Sequence, residues 1–139
     1  MLFRSQVGPY ALTLYRPDGA CEGAVYIPMN GDPSEIAALL PDCPSALIFI
    51  SGFDWNRDLS PWPAKAVFGE EDFSGQADAF LRMLTDELIP AAEQALDIRP
   101  EWRGIAGYSL AGLFAVYAAF RTDVFTRIAS ASGSMWYDG

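Results

Sequence analysis

The stretch from residue 103 to residue 121 constrains the fold more than any other. Residues 103–108 (RGIAGY) form a short apolar run suited to a strand, and Leu110–Arg121 has the length and the small apolar composition of a buried helix. Only Ser109 lies between them. A chain that passes from strand to helix without a spacer must turn within one residue, so the two elements approach closely and their facing side chains must be small. Gly107, Ala111 and Gly112 meet that demand.

The flanking segments repeat the alternation. Residues 46–50 (ALIFI) are wholly apolar, as expected for a central strand covered on both faces. Between residues 76 and 96, Ala77, Phe80, Leu81, Leu84, Leu88, Ala92 and Leu96 recur at intervals of three and four, which predicts an amphipathic helix. Ser74 is its candidate N-cap. Pro90 falls inside the pattern and removes the hydrogen bond to the Asp86 carbonyl, so a kink or two abutting helices is expected there. Residues 125–130 read as a further strand. Near the N-terminus, Tyr10–Tyr15 and residues 23–27 flank the turn signal Pro17-Asp18-Gly19 and suggest an antiparallel hairpin. Residues 51–75, with their prolines, glycines and tryptophans, read as a long loop, a type that is usually functional. The expected class is α/β: a mostly parallel sheet with an N-terminal antiparallel hairpin and flanking helices.

Composition narrows the function. The chain has 139 residues, enough for one domain over 1–139, with 51% hydrophobic and 19% charged residues, a balance that favours a folded core over disorder. A net charge of -9 and a single lysine, Lys65, oppose binding to nucleic acid or to anionic membrane surfaces. Cys21 and Cys43 form neither a disulfide framework nor a zinc spacing, and the chain has no histidine, so no metal site is expected. The N-terminus lacks an apolar signal region, and no stretch reads as a membrane span, which makes a cytoplasmic protein the expectation.

The chemistry concentrates at residues 105–112, IAGYSLAG. A serine at a cramped strand-to-helix turn takes a strained backbone conformation that lifts its hydroxyl above the sheet. The first amide of the following helix, Leu110 N–H, faces a developing oxyanion, and a second donor is expected from the loop after the preceding strand. There Gly52 lets the backbone turn, which points to Phe53 N–H. The plainer alternative is that Ser109 is only a small residue at a tight turn. Trp55, Trp62 and Trp136 suit core packing or substrate contact equally.

IAGYSLAGLFAVYAAF, followed by SASGSMWYDG, resembles the elbow helix and next strand of the esterase branch of the α/β-hydrolases, the group with enterochelin-type and S-formylglutathione-type esterases. ISGFDW at 50–55 is similar to that group's strand end and oxyanion turn. The resemblance covers most of 46–139. It implies an α/β-hydrolase fold and hydrolysis of a small-molecule ester or thioester through an acyl-serine, without a cofactor. Ser109 would be the nucleophile, and the N–H groups of Phe53 and Leu110 the oxyanion donors.

Two departures stand out. The usual pattern G-x-S-x-G has glycine two residues after the serine, whereas this chain has Ala111 and then Gly112. The family's triad runs Ser, then Asp or Glu, then His, and here the histidine is missing. Asp138 occupies a position where some hydrolases of this fold carry the acid, but a solvated terminal residue explains it as well, and Lys65 has no visible route to Ser109. The expectation is therefore an incomplete α/β-hydrolase domain, inactive or weakly active as this chain, or alternatively a non-catalytic binding or assembly protein. An exposed sheet edge at 125–130 or open helix faces would favour homo-oligomers.

Overall fold

A computed structural model describes residues 2–38, 43–65, 72–131 and 133. Among these, β1 (Leu2–Val7), β2 (Tyr10–Tyr15), β3 (Gly23–Pro28), β4 (Ala46–Ser51), β7 (Trp102–Tyr108) and β8 (Arg127–Ala131) form one sheet in the order β1-β2-β4-β3-β7-β8. A separate small ribbon pairs β5 (Pro63–Ala64) with β6 (Phe73–Ser74), inside the segment expected to be a loop. β1, β2 and β4 are antiparallel neighbours, whereas β4, β3, β7 and β8 run parallel.

The N-terminal hairpin exists but joins different strands from those expected. β1 pairs with β2 across the turn at Gly8 and Pro9, with Val7 opposite Tyr10 and Leu2 opposite Tyr15. β2 and β3 do not pair, because β4 lies between them, antiparallel to one and parallel to the other. The physical reason lies in β4 itself. Its ALIFI run is buried at every position, and a strand apolar on both faces is best placed in the sheet interior, where both edges also find partners. β1 escaped the sequence reading because its alternation is weak: LFRSQV shows only exposed and half-buried positions.

One face of the sheet carries the core. After the short helices α1 (Ser34–Ala38) and α2 (Trp55–Asp58) come α3 (Ala77–Met83), α4 (Ile89–Leu96) and α5 (Leu110–Arg121), and Leu12, Leu14, Ala24, Tyr26, Ile48, Ile50 and Ile105 pack against the last three through Phe80, Leu81, Ala92, Leu96, Phe114 and Ala118. A half-buried polar junction fixes this layer. Tyr26 Oη donates to Glu93 Oε2 at 2.7 Å, and Arg103 donates to both oxygens of the same carboxylate, at 2.6 and 2.7 Å. Strands β3 and β7 are thereby tied to one point on α4. Burial first, then the Glu93 acceptor, pushes the Tyr26 phenol far above its ordinary value.

The discontinuity expected at Pro90 is a π-helical turn, Leu84–Leu88, placed immediately before it. Ile89 N–H donates to Leu84 C=O, five residues back, so the backbone reaches Pro90 already shifted out of α-helical register. Ser74 is not the cap. It belongs to β6, and the helix starts after Gln76, whose side chain makes no capping hydrogen bond. At the far end Asp97 adopts a left-handed conformation (φ 52°), and Ile98 N–H closes back onto Glu93 C=O at 3.0 Å.

Candidate active site

The chain leaves β3 to build β4 on one side, then crosses to build β7 on the other. At such a reversal the loops leaving the carboxyl ends of neighbouring parallel strands diverge, and a crevice opens between them. Asn30 follows β3, the turn Gly52-Phe53-Asp54 follows β4, and Ser109 follows β7. All three segments therefore meet at one edge of the sheet.

Ser109 is the sole residue between β7 and α5, as expected, and has φ 59° and ψ -121°, a left-handed conformation that a non-glycine residue rarely adopts. Its N–H donates to Ala131 C=O of β8 at 3.0 Å, and its C=O accepts Leu113 N–H at 3.2 Å. The small neighbours are required. A Cβ on Gly107 would overlap the backbone of Ala111, and one on Gly112 would crowd Ser130 Oγ at 2.7 Å and Gly133 Cα at 3.0 Å. Ala111, where the sequence pattern wants glycine, is buried without such a clash: its methyl fits, and the close approach falls on Gly112 instead. Tyr108, just before the serine, is 66% exposed. Leu110 is the first residue of α5, so its N–H has no acceptor within the helix.

The second turn is held by side chains from elsewhere in the sequence. Gly52 (φ 91°) packs so tightly on Pro9 that a side chain there would overlap the Pro9 carbonyl. Its N–H donates to Asn30 Oδ1 at 3.1 Å, and Asn30 Nδ2 donates to Phe53 C=O at 3.3 Å. Asp54 caps the short helix α2 (Trp55–Asp58) by accepting Arg57 N–H at 3.0 Å. Asp58, only 6% exposed, returns Oδ2 to Asp54 N–H at 2.8 Å, while Arg57 Nε donates to its other oxygen at 2.9 Å. Sequence reasoning passed over both Asn30 and Asp58; the Asp54-x-x-x-Asp58 spacing was the only local signal.

A mostly apolar cavity of about 540 Å³ adjoins these turns. Its wall includes Ile27, Leu47, Trp55, Gly107, Tyr108 and Ala131, with Asn30 as a polar member. Trp55 is thus the one of the aromatic candidates Phe53, Trp55 and Trp62 that lines it. The Phe53 ring turns inward against Phe80, centroids 5.5 Å apart, and Trp62 leans on Tyr117. Trp136 and Asp138 lie outside the described residues. Lys65 is exposed. Cys43 borders the cavity and Cys21 donates to Gly23 C=O at 3.3 Å, both as free thiols. Among the described residues no helix is long and apolar enough to cross a membrane.

Sheet order, the mostly parallel strands and the crossing at β3 are those of a partial α/β-hydrolase fold. Residues 43–138 match the family described as Putative esterase, and the chain belongs to that family. It is 34% identical over 85 residues to the uncharacterized protein YbbA of Bacillus subtilis (strain 168), a match spanning 58% of this chain and 34% of YbbA. In structure it resembles an IroE-like serine hydrolase from Shewanella oneidensis (TM-score 0.79, 19% identity, 100% of this chain, 52% of that one). It also resembles the siderophore hydrolase EstA from Aspergillus nidulans (TM-score 0.75, 21% identity, 99% of this chain, 58% of that one). The chain thus spans about a third of YbbA and between a half and three fifths of the two structural neighbours.

Proposed function

We propose that this chain carries the nucleophile and oxyanion half of a serine esterase acting on a small-molecule carboxylic ester or thioester. Ser109 Oγ attacks the carbonyl carbon, and the oxygen that becomes negative is held by the N–H groups of Phe53 and Leu110. The alcohol or thiol departs, and water releases the acid from the acyl-serine. The observation that carries this reading is the left-handed backbone of Ser109, a strained geometry kept at the carboxyl end of a central parallel strand. The adjoining apolar cavity suits an uncharged ester group. A general base is still required, and the 139 residues contain no histidine. The chain alone is accordingly expected to be weakly active at most, about a thousandfold above water, from the oxyanion donors and binding.

The test uses a fluorophosphonate probe with imidazole supplied as the missing base. A phosphonyl adduct mapped to Ser109, and absent from Ser109→Ala, supports the reading; an inert Ser109 under these conditions ends it. The same proposal includes a cytoplasmic protein that binds neither nucleic acid nor membrane and self-associates. Among the described residues β8 ends the sheet and each of its residues is exposed, which supports self-pairing, and a clean monomer by light scattering at high concentration would refute it.

A further inference from the structure

The turn after β4 presents one amide between two that are tied. Gly52 N–H is taken by Asn30 Oδ1 and Asp54 N–H by Asp58 Oδ2, whereas Phe53 N–H, between them, meets no acceptor among the described residues. The peptide plane on the far side of Phe53 is fixed at both ends, its C=O by Asn30 Nδ2 and its N–H by Asp58. Glycine is the residue with the most backbone freedom, so without these ties the Gly52–Phe53 peptide would sample many orientations. The ties are themselves anchored. Asp58 is buried, Arg57 engages both of its oxygens at 2.9 and 3.3 Å, and Asp58 N–H closes onto Asp54 C=O at 2.8 Å. Asn30 stands directly after β3 in the cavity wall, where Met29 N–H donates to Ile50 C=O at 2.9 Å.

We infer that Asn30 and Asp58 are positioning residues, a two-sided clamp that aims Phe53 N–H at the crevice. This rests on the proposed esterase reading for its purpose, but the clamp itself can be tested separately. Neither residue touches the reacting atoms. Both act through the turn, from a different strand end in one case and from the following helix in the other.

The experiment combines amide hydrogen exchange with the rate of fluorophosphonate labelling of Ser109 in the intact chain with added imidazole. In Asn30→Ala, exchange at Gly52 is expected to accelerate about tenfold, and in Asp58→Ala the same at Asp54, while β4 and β7 keep their protection. Labelling should slow about tenfold in each, less than the hundredfold or more for outright loss of an oxyanion donor. Asp58→Asn, whose carboxamide oxygen still accepts Asp54 N–H, should recover most of the rate; a purely structural need for the Arg57 ion pair would not be rescued this way. Unchanged exchange at both amides overturns the clamp, as does faster exchange with unchanged labelling. An inert Ser109 in the parent chain would instead sink the esterase reading, and exchange alone would then decide the clamp.

Discussion

The two turns that meet at the crevice achieve their shapes by different means. The turn at Ser109 is held by exclusion: Gly107 and Gly112 leave no room for side chains, so helix α5 presses against β7 and the serine takes the only bend that remains. The turn at Phe53 adds attraction to the close fit of Gly52 on Pro9: Asn30 both accepts and donates a hydrogen bond there, and Asp58 accepts one. Steric exclusion is strong, local and unforgiving, whereas polar ties are weaker and replaceable. The first kind of turn should therefore fail abruptly under mutation and the second gradually.

The largest effect is expected from Gly107→Ala. Its new methyl overlaps the Ala111 backbone, which cannot yield as a flexible side chain would, and a loss of about 3 kcal/mol or more in urea unfolding should follow. A variant as stable as the parent would show that the elbow is not held by exclusion. Asp58→Ala should cost about 1–3 kcal/mol, because Asp54 N–H loses its acceptor, with Asp58→Asn in between. Ser109→Gly should raise the unfolding midpoint by about 1 kcal/mol of stability as the left-handed strain is relieved; a fall would mean that the serine is not strained.

The smallest effect is a control on the helix-covered face, away from both turns. Folded Tyr26 holds its proton to a pH far above the ordinary tyrosine value of 10.0, so the unfolded chain binds fewer protons than the folded one above that pH. Its contribution to stability is thus complete below about pH 10 and declines as pH rises beyond it. Thermal unfolding between pH 8 and 11 should show this decline, shallower in Tyr26→Phe; equal slopes would remove Tyr26 as a source.

The same contrast explains what could be read from the chain. The strand-to-helix turn at Ser109 was legible because its cause is local: small residues within a few positions of Ser109, between an apolar strand and a helix that ends at Arg121 as expected. The bounds of β4 and of the helical stretch through Leu96 were legible for the same reason, since their periodicity is carried by consecutive residues. Asn30 was passed over because its partners lie 22 and 23 residues downstream. The pairing of β2 with β4 was likewise hidden, since the intervening turn signal at Pro17-Asp18-Gly19 favoured the nearer strand. Sequence proximity misled where the interior position demanded by ALIFI decided the order. Pro90 announced an irregularity, but its form as a π turn depends on how Leu84 and Leu88 seat in the core.

The hydrogen bond from Ser109 N–H to Ala131 C=O carries the β7–β8 ladder into the bend itself. It makes β8, the last strand of the sheet among the described residues, a stakeholder in the serine's pose, since β8 pairs with β7 from Gly104 to Tyr108. Any displacement of β8 along β7 is therefore felt at the bend that carries the hydroxyl, because the ladder between the two strands runs through the serine's own amide.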